Sequence, residues 1–418
     1  MIFPFHFTQS CPLWKLVNSS SAAMGAPALQ ADLGASSGAV LAPTHPTRRD
    51  GADGEFRAAR PHWHSSPSGG SLCLDGKGVP TLYLIGAQKS GTTALGTLIF
   101  NAGGVSAGFE RGVHSGSAKE LNVLHVPSWP NVCNETATTA VQRRAWASSF
   151  VHECSSSSHF TLTDMTANYY SQARLPTILA EMHLRSASKL SLAIILREPV
   201  SRMQSSFYWS FPKSKPGDFA AAVQGLRQQA ACSWLLDDVQ WEARELGECK
   251  SNSKLVRDCP SFQEFLVGSL YGRHLDAWLR GGFSPHQFTV LPMGWVLEQP
   301  QGAIASLVSE RTRWDEGFPT PALDPVAPEL LDPVQTNLSA PEHRNDRAHP
   351  TLEEDLGAEQ LGWLRGMFFD DDAERLAQRL AGARRLGLVV GGCDDTTCAD
   401  AAGLKARMAS TWNPERKG

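Results

Sequence analysis

No run of about 18 uninterrupted apolar residues occurs in the 418-residue chain, so no segment of it reads as a membrane-spanning helix. The nearest approach, Met1 to Val17, is interrupted by Pro4, His6, Gln9, Ser10, Pro12 and Lys15 and has no basic stretch ahead of it, so it reads as a degraded signal or a mis-called start and not as an intact leader. Positive charge is not in excess either. With 38 Lys+Arg against 42 Asp+Glu the formal net charge is -4, which argues against a nucleic-acid coat and leaves only local basic pockets for small anions. Charged residues reach 19%, below the usual quarter. Zinc-type spacing is missing: none of the 9 cysteines forms a CxxC pair or has an HxxxH partner, so no metal site is expected. No internal repeat is visible.

What the chain does have is apolar material, 42% of residues, enough for one large core or two ordinary ones. Residues 1–78 are rich in Ala, Gly, Ser and Pro without apolar periodicity and read as a flexible stem or leader, with order expected to begin near Thr81. Short apolar runs at Thr81 to Ile85, Leu190 to Leu196 and Phe288 to Leu291 end in Gly or Pro signals and predict buried central strands. Between and after them, helical spacing predicts helices over Thr92 to Phe100, Phe262 to Leu279 and Thr351 to Leu380. The last should bury Trp363, Met367, Phe368 and Leu376, with Asp370-Asp371-Asp372 a solvated turn or helix start. The alternation predicts an α/β fold with a parallel sheet, a domain over 79–392 and a C-terminal tail over 393–418. Glu310 to Pro350 should wrap the surface. Cys249/Cys259 and Cys393/Cys398 are close enough to close small disulfide loops, and Asn18, Asn134 and Asn337 head glycosylation sequons.

The chemistry concentrates at Gly86-Ala87-Gln88-Lys89-Ser90-Gly91-Thr92-Thr93, between an expected strand and an expected helix. A glycine-containing turn there aims several backbone N–H groups and the positive helix end at one spot, which suits a phosphate or sulfate. Lys89 adds a cation, and Thr92 and Thr93 add hydroxyls. A nucleotide-hydrolase P-loop places its lysine after the second glycine, whereas Lys89 precedes Gly91 by two positions. A structural strand-turn-helix, with these residues as caps, is the alternative.

The Lys-Ser-Gly-Thr-Thr arrangement resembles the 5′-phosphosulfate loop of sulfotransferases that use 3′-phosphoadenosine 5′-phosphosulfate (PAPS). Arg197-Glu198-Pro199-Val200-Ser201-Arg202-Met203-Gln204-Ser205 is similar to the Arg-x-Pro-x-x-Arg-x-x-Ser pattern of the same family, whose first Arg and Ser hold the 3′-phosphate. Lys119-Glu120-Leu121-Asn122 resembles the Lys-Glu-x-His stretch of the Golgi glycan branch, whose Glu is the catalytic base; Asn122 stands for the histidine. Asp164 to Tyr169 resembles a polar stretch that lines the acceptor cleft in relatives acting on chondroitin-type N-acetylgalactosamine 4-sulfate. Gly268-Ser269-Leu270-Tyr271 and Phe368-Phe369 resemble two later family helices. The resemblance covers about 79–300 and 350–390.

It implies a P-loop-like three-layer α/β fold and a catalytic pair of Lys89, at the bridging oxygen, and Glu120, at the acceptor hydroxyl. Donor binding would fall to Lys89, Ser90, Gly91, Thr92, Thr93, Arg197 and Ser205, and acceptor binding to Asp164 and Tyr169. It further implies PAPS as co-substrate without metal, a glycan or other hydroxylated acceptor as partner, and a Golgi or secretory setting, which the sequons fit. Rival readings are a sulfotransferase for a small hydroxylated metabolite or lipid, and a P-loop-like nucleotide kinase or binding module.

Overall fold

A computed structural model describes residues 63–65, 72–101, 104–106, 120–121, 124, 143, 146–154, 161–172, 175–228, 265–314, 350–385, 388–393 and 398–412. All of them belong to one compact unit, Pro61–Gly418. Cys249, Cys259, the three sequons and residues 315–349 lie outside the described residues.

The unit opens with an antiparallel meander of β1 (Trp63–Ser65), β2 (Leu72–Leu74) and β3 (Lys77–Val79). Asp75 and Gly76 both take positive φ, 48° and 84°, the two-residue turn whose twist matches a hairpin. Leu72, Cys73, Leu74 and Val79 are buried, and Cys73 is disulfide-bonded to Cys154 with Cα atoms 5.8 Å apart. Gly78 N–H donates to His152 O at 2.9 Å, and a Cβ there would strike Leu162 Cδ1 at 2.6 Å. The stem boundary expected at residue 78 is therefore corrected: 63–65 and 72–79 form strands of the folded unit. Three-residue strands carry too little periodicity to be seen against a Gly/Ser/Pro background.

The chain continues through β4 (Leu82–Gly86), α1 (Thr92–Asn101), β5 (Gly104–Ser106), β6 (Thr161–Asp164), α2 (Leu175–His183), β7 (Ser191–Leu196), α3 (Pro199–Ser210) and α4 (Asp218–Gln228). After it come α5 (Tyr271–Arg280), β8 (Phe288–Pro292), α6 (Met293–Glu298), α7 (Pro300–Trp314), α8 (Leu352–Leu364), a π turn (Arg365–Phe369), α9 (Asp370–Arg384), β9 (Val389–Val390) and α10 (Ala401–Trp412). The main sheet has strand order β5-β6-β4-β7-β8-β9, with every pair parallel.

Successive strand residues enter different cores, as the pleat requires. Tyr83, Ile85, Leu192, Ile194, Phe288 and Val290 point into a core with α2, α5, α9 and α10, while Leu82, Leu84, Ala193, Ile195 and Leu291 meet α1, α6 and α7. Helices thus cover both faces in three layers, as the apolar runs predict for strands with no solvent side.

Several expectations shift. The 393–418 tail is corrected: Leu404 and Met408 of α10 are buried in the core, and Cys393–Cys398 closes the small disulfide loop that spacing had allowed. The helix expected from Phe262 is interrupted before α5. Gly268 lies against the Arg202 guanidinium, where a Cβ would come within 2.4 Å of a nitrogen, and the Ser269 hydroxyl turns to Pro199 O at 3.0 Å. Phe368 and Leu376 are buried as expected, but Met367 is 39% exposed. Asp370 and Asp371 open α9 in solvent, whereas Asp372 is buried: its oxygens accept the Gly272 and Arg273 amides at 2.8 and 3.0 Å. The carboxylate caps the first turn of α5 from another helix, so nothing local announces it. Gly357, at φ +67°, breaks α8 after its first turn.

Candidate functional site

Beyond Gly86 the chain stays attached to the sheet for one more residue, Ala87 N–H donating to Ile195 O at 2.8 Å. It then turns through Ser90 N–H to Ala87 O at 3.1 Å and enters α1 with Leu95 N–H to Gly91 O at 3.1 Å. Lys89 and Gly91 sit at φ +67° and +91°, so the loop alternates handedness, a geometry that gathers successive N–H groups on one concave side. The first turn of α1 contains no acidic residue to neutralise its positive end. Ser90 and Thr92 are buried and Thr93 is half-buried. Lys89 Nζ lies 5.3 Å from the ring centroid of Trp209, which is 51% exposed on α3. At Gly86 a Cβ would come within 2.5 Å of Tyr170 Cβ, so the loop rises directly beside the turn that follows β6.

Next to this loop ends β7. Helix α3 is capped by Glu198, which accepts Ser201 N–H at 2.6 Å and pairs with Arg365 at 3.2 Å; capping thus falls to Glu198 and not to Arg197. Arg197 is half-buried, and its carbonyl accepts the Tyr271 hydroxyl at 2.9 Å. Tyr271 is buried, and burial raises its phenol pKa against the opposing pull of the Arg202 charge and the Ser90 hydroxyl. Arg202 joins the two motifs. Its guanidinium is buried and donates to Ser269 Oγ at 2.7 Å, to Phe265 O at 2.7 Å and to Gln88 O at 3.1 Å, the last inside the first loop. Ser205, half-buried, lies on the same helix.

The third group lies at the end of β6. Asp164 is fully buried and accepts the Thr166 hydroxyl at 2.6 Å and the Tyr169 hydroxyl at 3.1 Å. Tyr169 Oη in turn accepts Leu124 N–H at 3.2 Å. Glu120 is half-buried and close enough for its charge to act on Asp164. Lys119, Asn122 and His125 lie outside the described residues. Asp164 and Tyr169, expected to line an acceptor cleft, are corrected: both are sealed from solvent, and Tyr169 supports the backbone at Leu124. His183 is likewise structural. It is buried against Tyr83 Oη at 2.8 Å, and burial pushes its pKa down to about 3.

Burial raises Asp164 and Asp372 each to about 6; the Glu120 charge adds to the first, and hydrogen bonds pull both back. Because these folded-state values exceed the unfolded ones, the native state binds more protons between about pH 4 and 6, and stability falls as pH rises through that window. Buried His183, shifted the other way, loses stability as pH falls over the same range, so the carboxylate contribution is read by difference: the melting temperature at pH 5 minus that at pH 7 is expected to be smaller in Asp372→Asn than in the wild type. An equal difference in both chains would contradict the burial of charge at Asp372.

Among the described residues no cluster of His, Cys, Asp or Glu is placed to hold a metal ion, and no helix is long and apolar enough to cross a membrane. The sequence assigns no role to Arg202 or Trp209 and only a supporting one to Tyr271; their contacts span 63 to 120 residues along the chain, and no local pattern marks them. No protein-family model matches the chain, and a search of curated proteins finds no match.

Proposed function

We propose that the protein transfers a sulfuryl group from PAPS to a hydroxyl of a carbohydrate acceptor. The observation that carries this reading is the position of the two phosphate-type motifs in the sheet. From β4 the chain moves out to β5 and back to β6 on one side, then crosses to β7 on the other, so the C-terminal ends of β4 and β7 flank the point where the strand order reverses. Open α/β sheets bind ligands in the crevice at that point. The Lys89 loop and Arg197 end there on neighbouring strands, and Arg202 braces one against the other. This is the basis for reading the three-layer fold as P-loop-like.

Each group then has a chemical task. Sulfuryl transfer is an in-line displacement in which an acceptor oxygen bonds to sulfur as the sulfur–oxygen bond to the adenosine bisphosphate breaks. Ser90 N–H closes the turn on Ala87 O, so the amides of Gly91 and Thr92, with the Thr92 and Thr93 hydroxyls, bind the 5′-phosphate, and Lys89 meets the negative charge that builds on the bridging oxygen. Arg197 and Ser205 hold the 3′-phosphate. Glu120 takes the acceptor proton. On the turn after β6, Asn168 Oδ1 and Gln172 Oε1 are buried acceptors without a donor among the described residues, which supports a partner rich in hydroxyl groups. The Cys73–Cys154 and Cys393–Cys398 disulfides fit an oxidising compartment such as the Golgi lumen.

The test is transfer of labelled sulfate from PAPS to a panel of glycans and small alcohols, run beside binding of PAPS, adenosine bisphosphate and ATP. Glycan labelling supports the reading; labelling confined to small alcohols reassigns the acceptor. Magnesium-dependent ATP binding without affinity for the bisphosphate would replace the reading with a kinase-like one. Glu120→Gln is expected to lower turnover about 100-fold or more while leaving bisphosphate affinity intact, since an amide cannot take the proton. Unchanged turnover would return Glu120 to an ordinary surface carboxylate.

A further inference from the structure

The Arg202 guanidinium points into the protein and not at the crevice. Arg202 is 2% exposed, and its donors reach Ser269 Oγ at 2.7 Å, Phe265 O at 2.7 Å and Gln88 O at 3.1 Å. The first contact aims it. Ser269 Oγ accepts from Nε and donates its own proton to Pro199 O at 3.0 Å, so the guanidinium is held against the first turn of the helix it stands on. Gly268 clears the space, since a Cβ there would come within 2.4 Å of Nη2. The contact with Gln88 O crosses to the loop after β4, 114 residues away.

Gln88 O belongs to the peptide that precedes Lys89, so this bond fixes the plane from which Lys89 departs. Lys89 takes φ +67°, a conformation that costs a residue with a side chain about 1–2 kcal/mol and persists where its neighbours hold it. Within the loop, Ala87 N–H to Ile195 O and Ser90 N–H to Ala87 O keep the local shape. Arg202 adds the position of that shape relative to α3. Its planar fork presents N–H groups in fixed directions and so defines a distance and an angle; an ammonium rotating on a flexible stem defines neither. Arg197 stands just ahead of α3 and Ser205 three positions after Arg202, so this helix and its lead-in carry both residues assigned to the 3′-phosphate.

We propose that Arg202 is a positioning residue that sets the span between the 5′-phosphate loop and the 3′-phosphate helix, and so selects nucleotides phosphorylated at both positions; the proposal rests on the sulfotransferase reading. A ligand with two phosphates on one ribose gains from the second contact when the two cradles stand at the matching distance, whereas a ligand with one phosphate is indifferent to that distance.

The experiment measures calorimetric affinity of the full chain for adenosine 3′,5′-bisphosphate, adenosine 5′-phosphate and adenosine 3′-phosphate. The wild type is expected to prefer the bisphosphate. In Arg202→Met, bisphosphate affinity should fall about 10- to 100-fold while that for each monophosphate changes by less than about 3-fold. Arg202→Lys, which keeps the charge, should lose the preference too; recovery there would assign the effect to charge instead of span and overturn the proposal. Gly268→Ala approaches the same point from a residue assigned to neither phosphate. Its methyl meets the far end of a flexible side chain, so the guanidinium should swing off Gln88 O while the backbone stays. The same selective loss is expected, and this variant decides if Arg202→Met does not fold. Equal losses for all three ligands mark a general structural role and overturn the proposal, as does a preference unchanged in the variants. A wild type that binds the bisphosphate no better than the monophosphates overturns the underlying reading, and the proposal with it.

Discussion

Lys89→Ala is expected to cost sulfuryl transfer at least about 100-fold, the usual penalty for removing one group that meets charge developing in a transition state. Its affinity for adenosine bisphosphate should fall far less. The loop amides and the end of α1 remain, and Arg202 still holds Gln88 O, so the cradle keeps its shape without the ammonium. Arg197→Ala should behave in the opposite manner, weakening donor binding most, because a 3′-phosphate carries its full charge before any bond breaks. Labelled transfer with calorimetric binding of the bisphosphate separates the two. Near-normal turnover in Lys89→Ala would remove the loop from the chemistry.

A chain that begins at Thr81 is expected not to fold, whereas one that begins at Pro61 should retain a cooperative melt. The shorter chain lacks the meander and leaves the space of Leu72, Leu74 and Val79 empty; a single large buried side chain lost in this way costs about 2–5 kcal/mol. It also lacks Cys73 and with it the bridge to Cys154. The disulfide spans 81 residues, for which loop entropy alone gives about 4–5 kcal/mol. Together these are as large as a typical folding free energy of about 5–15 kcal/mol. Circular dichroism and limited proteolysis of the two chains would decide it, and a cooperative transition in the Thr81 chain would show the meander to be dispensable.

Central strands are easy to read in a chain like this one because a strand covered on both faces is written as one unbroken apolar run, as in Leu82–Gly86, Ser191–Leu196 and Phe288–Pro292. β6 is not. Thr161–Asp164 is polar, and its Asp164 is paid for by Thr166 and Tyr169 across a turn, so the segment reads as a binding stretch and not as a strand. The phosphate loop is legible because its function needs particular residues in a fixed local order. Arg202, Tyr271 and Asp372 are not, since each acts on backbone far away in sequence and any long polar side chain would look the same on the page.

The π turn between α8 and α9 sets an angular phase. On one side of it Arg365 reaches Glu198 at the foot of α3; on the other, Asp372 reaches the amides that open α5. Each helical residue advances the direction of its side chain by about 100°. Deleting one residue from 366–369 would leave Arg365 where it is and swing Asp372 more than a quarter turn off its amides. The wider turn works as a spacer in angle, letting one continuous helix engage two others that do not share a face. Because α3 carries Arg202 and α5 carries Tyr271, an insertion or deletion here would unhitch the two from a common setting while touching neither.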